Sequence, residues 1–101
     1  MLAIFSTFPV DKGESMAKDV SEVIALIDSS GLSYQTTAMG TMVEGEWDDV
    51  MSLIKKCHHK LREQSRRVYT QITIDDRQDA KNRISGKIAD IEKILNKKVK
   101  K

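Results

Sequence analysis

LSYQTTAMGTMVEG, residues 32–45, is the stretch that decides the fold. Two β-prone runs, 32–39 and 41–44, are separated by Gly40 alone, and Gly45 follows the second. So short a turn leaves room only for a hairpin or a bulged antiparallel pair. Amphipathic helices flank this hairpin. Upstream, over 15–29, Val20, Val23, Ile24 and Ile27 repeat at the i, i+3, i+4, i+7 spacing of a buried stripe, with Ser15 as N-cap and Gly31 as the glycine that ends the helix. Downstream, over 47–64, Val50, Ile54, Cys57 and Leu61 form the inward stripe, and Asp48 and Asp49 sit in the first turn, where the helix dipole favours acids.

Beyond the helices lie two more strands. Residues 2–8 alternate β-formers on both faces (Leu2, Ile4, Phe5, Thr7, Phe8), end at Pro9 and turn at Lys12-Gly13. Residues 67–74, RVYTQITI, place Val68, Thr70, Ile72 and Ile74 on one face and Tyr69, Gln71 and Thr73 on the other. A last helix is expected over 79–98, capped by Asp79, with Ile84, Ile88, Ile91 and Leu95 on one side. The order βαββαβ plus a helix specifies an α+β fold, a ferredoxin-like antiparallel sheet with an additional C-terminal helix.

The 101 residues fit one domain, 1–101, and 40% hydrophobic with 32% charged residues fits neither a disordered nor a membrane chain. No apolar run spans a bilayer, and the apolar N-terminus lacks the basic flank of a signal peptide, so it reads as a strand. The net charge is only +2, and basic residues crowd the tail at Lys97, Lys98, Lys100 and Lys101, so no membrane or nucleic-acid partner is expected. The lone cysteine, Cys57, cannot form an internal disulfide, which fits a cytoplasmic location.

Helices packed on one side of the sheet leave the other uncovered. That side holds Tyr69, Gln71 and Thr73, with either Ala3/Phe5/Thr7 or Leu2/Ile4/Ser6. Burial against a second copy of the chain, as a dimer or tetramer, is the expected resolution. A ligand pocket at that seam would combine apolar walls with a few hydroxyls.

Ser30-Gly31-Leu32-Ser33-Tyr34, Met39-Gly40-Thr41, Glu44-Gly45 and Ile74-Asp75-Asp76-Arg77 together resemble the small YkoF-related thiamine-binding proteins. The resemblance runs from the first strand to the last helix. It implies a homo-oligomer, commonly a homotetramer, that binds thiamine or a hydroxymethylpyrimidine precursor without catalysis and without a cofactor. Better-studied relatives carry two such domains in one chain, so here two chains would supply what tandem domains supply there.

Such a ligand asks for an acceptor for its amino group, donors for its ring nitrogens, and a carboxylate or aromatic face for its cation. Glu44 is the candidate acid. Ser6, Thr37 and Thr41 are candidate hydroxyls, and Gly40 and Gly45 allow close backbone approach, leaving Trp47 or Tyr34 as ring face. Ser6, Thr37, Gly40, Thr41 and Glu44 form the candidate site. Cys57, His58 and His59 are not expected to bind metal, because adjacent histidines on a helix diverge by about 100°, and no catalytic set is expected. The alternative from another class is a regulatory module whose sheet face docks on a protein partner.

Overall fold

The computed structural model describes residues 1–11, 17–78 and 83–100. The elements are β1 (Leu2–Pro9), α1 (Ala17–Ser29), β2 (Ser33–Thr37), β3 (Gly40–Glu44), α2 (Trp47–Arg62), β4 (Val68–Asp75) and α3 (Arg83–Leu95). The expected caps Ser15 and Asp79 and the Lys12-Gly13 turn lie outside the described residues. The strands form one antiparallel sheet in the order β2-β3-β1-β4, which is the ferredoxin-like arrangement with a helix appended.

The register settles which side each strand residue faces. Ala3 pairs with Val43 and Ile74, and Phe5 with Thr41 and Ile72. Ala3, Phe5 and Val43 are buried in one cluster with Val23 and Ile27 of α1 and Val50, Leu53, Ile54, Cys57 and Leu61 of α2. The odd-numbered positions of β1 therefore face the helices, and Leu2, Ile4, Ser6 and Phe8 take the opposite side with Tyr69, Gln71 and Thr73. The α2 stripe is buried at every expected position. Its first turn carries Asp48 and Asp49, and its last His59, Lys60 and Arg62, matching the dipole at both ends. Gly31 has φ +79°, the left-handed value that suits glycine just past a helix.

In α1 the expected stripe is only partly realised. Val23 and Ile27 are buried, but Val20 is 44% exposed. The reason is tertiary: the hairpin stops short, so the sheet does not extend beneath the first turn of α1. Residues 6–9 of β1 run past its last pair with β3, Phe5↔Thr41. The helix face there overlooks a cleft instead of a core.

The C-terminal helix behaves unlike the other two. Glu44 lies on the face opposite α1 and α2, and its Oε2 accepts the backbone N–H of Arg83 at 2.7 Å. This seats the start of α3 at the end of β3. Farther along, Ile91, Ile94 and Leu95 are exposed. The molecule is accordingly elongated, 47 × 28 × 21 Å.

Candidate ligand-binding site

Where β1 outruns the hairpin, a cleft of about 420 Å³ opens at the free edge of β1, between the hairpin turn and α1. Its walls are Phe5, Ser6, Thr7 and Phe8 of β1, Val20, Val23 and Ile24 of α1, the hairpin residues 36–41, and Gln71 of β4. Apolar walls with a few hydroxyls and one amide are the usual composition of a small-molecule site, and the volume is in the usual range. A second cleft, about 430 Å³, separates the end of α1 from the start of α2 and includes Ser30, Gly31, Asp49, Ser52 and Lys56. It collects none of the candidate site residues.

Ser6, Thr37, Gly40 and Thr41 come together in the first cleft. Their roles differ. Thr37 Oγ1 donates to the carbonyl of Gly40 at 2.7 Å and accepts the N–H of Met39 at 3.2 Å, so it braces the hairpin turn and keeps one lone pair. A Cβ on Gly40 would lie 2.9 Å from the carbonyl oxygen of Phe5, so only glycine lets β3 start this close to β1. Thr41 is 6% exposed, and Ser6 is half-buried at the wall.

Glu44 is placed elsewhere. It lies at the other end of β3, and its carboxylate holds the first turn of α3. Neither candidate ring reaches the cleft: Tyr34 donates its hydroxyl to Asp28 Oδ1 at 2.8 Å, which raises its pKa, and Trp47 stands half exposed at the start of α2. The rings at the cleft are Phe5 and Phe8, with Tyr69 beside Phe8 at 5.7 Å between centroids. Sequence reading placed these phenylalanines in a strand and missed their place at the cleft. The signal that would have found them is a mismatch of lengths, since β1 is longer than the hairpin strands it must pair with.

Cys57 is fully buried, and burial pushes its thiol up to about 11. His58 and His59 stand edge to face, with interplanar angle 87°. Among the described residues no group of three or more His, Cys, Asp or Glu side chains is placed to hold a metal ion, and no helix is long and apolar enough to cross a membrane.

The fold and cleft define a ferredoxin-like α+β protein with an open, mostly apolar recess at the hairpin end of its sheet. The chain belongs to the thiamine-binding protein family, which it matches over residues 3–92. It is 33% identical to the UPF0045 protein MJ1052 of Methanocaldococcus jannaschii, over 87% of this chain and 88% of that one. It is 35% identical to the UPF0045 protein YqgV of Bacillus subtilis, over 76% of each chain. The solved structure of hypothetical protein MJ1052 superposes with TM-score 0.82 over 89% of this chain and 93% of its own. A putative thiamine biosynthesis/salvage protein of Thermotoga maritima shares the fold at TM-score 0.78 and 22% identity, over 89% and 96% of the two chains.

Proposed function

We propose that this protein binds thiamine or a hydroxymethylpyrimidine-type precursor in the cleft bounded by Ser6, Thr37, Gly40 and Thr41, without catalysing a reaction on it. The observation that carries the reading is that a chain of the thiamine-binding protein family gathers these residues around one apolar recess. The flat pyrimidine suits a recess at the free edge of β1, with α1 side chains on one side of the sheet and Phe8 on the other. Hydroxyls and the Gln71 amide supply the donors and acceptors that a ring nitrogen and an amino group require. The T. maritima relative is named for thiamine biosynthesis or salvage, which agrees with a carrier, buffer or sensor of such a compound.

Self-association completes the proposal. Phe8, Tyr69 and Gln71 place apolar and amide groups on the sheet face away from α1 and α2, at the mouth of the cleft, and a second copy seated there would close it. The resulting dimer or tetramer would operate in the cytoplasm, where the single buried thiol stays reduced.

Calorimetric titration with thiamine and with hydroxymethylpyrimidine tests the reading. Binding tighter than about millimolar is expected for at least one, and Val20→Trp, which fills the cleft from an exposed helix position, should abolish it. Absence of binding by both compounds sinks the ligand assignment. Unchanged binding by Val20→Trp moves the site elsewhere.

A further inference from the structure

The cleft is wired to a histidine it does not contain. Thr7, which lines it, lies with its Oγ1 2.6 Å from Thr70 Oγ1 on β4, and Thr70 Oγ1 lies 2.7 Å from His58 Nδ1 on α2. A pair of threonines facing each other across two strands is ordinary sheet packing. An imidazole at the end of the pair makes the number of protons in the row variable.

We propose that His58, acting through Thr70, determines whether Thr7 offers the cleft a lone pair or a proton. The inference rests on the cleft being the ligand site. Each hydroxyl has one proton, so the row has a direction. When Nδ1 is bare, Thr70 donates to it and accepts from Thr7. The Thr7 proton is then used, and only a lone pair remains for the cleft. When Nδ1 carries a proton, it donates to Thr70, Thr70 donates to Thr7, and the Thr7 proton is free to turn toward a ligand. Both directions use the same heavy-atom positions, so reversal needs no movement of the backbone.

His58 meets the sheet through Thr70. The ring is half-buried. On its own helix Lys55 and Arg62 lie one turn to either side, Lys56 and Lys60 two residues away, Cys57 and His59 adjacent, His59 at 5.7 Å between ring centroids, and Asp48 and Asp49 in the first turn. β4 and β1 face it with the uncharged Thr70 and Thr7. α1 packs on the far flank of α2, where Leu26 shares a groove with Leu53, roughly 140° around the helix from His58.

The consequence is a choice between ligand chemistries. A bare Nδ1 suits a ligand that donates at this point, such as an aminopyrimidine. A protonated His58 suits one that accepts, such as the corresponding oxopyrimidine. The amino group of thiamine should therefore be favoured while His58 is the neutral tautomer with its proton on Nε2 and Nδ1 bare, and the binding of thiamine should in turn oppose protonation of His58.

The experiment measures thiamine affinity from about pH 8 to about pH 5, where imidazole titrates, in the wild type, Thr70→Val and Thr70→Ser. The valine breaks the row, and the serine retains a hydroxyl. The wild type should lose roughly tenfold more affinity than Thr70→Val over this range, the effect of one misdirected hydrogen bond, and Thr70→Ser should restore the loss. Any titration of thiamine itself is common to all three proteins and cancels. Parallel curves for wild type and Thr70→Val overturn the proposal. A second arm needs no ligand: the Thr7 methyl resonance should follow the His58 titration in the wild type and stop following it in Thr70→Val, and a resonance indifferent to His58 in the wild type also overturns the proposal. If thiamine does not bind at all, the ligand assignment fails and the resonance arm alone decides the relay.

Discussion

Gly40 combines two demands at one residue. It starts β3 and lines the cleft, and the carbonyl of Phe5 stands where a side chain would go. Gly40→Ala forces β3 away from β1 and should cost roughly 1–3 kcal/mol, as overpacking does, seen as a lowered midpoint in urea unfolding. Cys57 makes a different prediction. Burial raises its thiol from an ordinary 9.0 to about 11, so the folded chain holds the proton more tightly than the unfolded one. That contribution to stability is complete below about pH 9 and disappears as pH rises toward about pH 11. Cys57→Ala should flatten the fall in stability across this window, measured by denaturant unfolding at a series of pH values. The burial of Cys57 was legible from its place on the α2 stripe. The exposure of Val20 was not, because periodicity reports which way a residue points and says nothing about whether sheet lies beneath it.

Among the elements, α3 is tied to the sheet by a distant side chain. Its first turn presents backbone N–H groups without intrahelical partners, and Glu44 satisfies that of Arg83 from another strand. Glu44→Ala should loosen the start of α3 at a cost of about 1 kcal/mol, comparable to losing an N-cap. Faster hydrogen exchange confined to α3 is the expected readout, with α1 and α2 unaffected. Strand and helix identities were readable because turn glycines and apolar periods agree along most of the chain. The role of Glu44 was not readable. A glutamate at the end of a hairpin strand serves a ligand, a helix end or water equally well, and the choice depends on where α3 comes to rest.

At the scale of the molecule, apolar side chains among the described residues stand uncovered on the Phe8 and Tyr69 side of the sheet and on the far part of α3, at Ile91, Ile94 and Leu95. Tyr69 is 45% exposed on an edge strand, so a lysine there costs the monomer little. Tyr69→Lys should shift a self-associated protein toward monomer in sedimentation velocity while leaving its circular dichroism unchanged. A wild type that sediments as a monomer would remove the need for a covering copy. The cleft opens beside the same surface, so the variant should also weaken thiamine binding if a second copy closes the site.

Local sequence was enough for the order of elements, the ferredoxin-like pairing, the α2 stripe and the placing of Thr37, Gly40 and Thr41 in one hairpin. These follow from local propensity, from period, and from the shortness of connections, all of which act between near neighbours in the chain. Long-range packing was needed to bring Ser6 beside that hairpin, to make β1 outrun β3, to wall the recess with Phe5, Phe8 and Val20, to set Glu44 at α3 and to join His58 to Thr7 through Thr70. Those outcomes depend on strand register and on where helices settle across the sheet, and register is fixed by the joint packing of residues far apart in the chain.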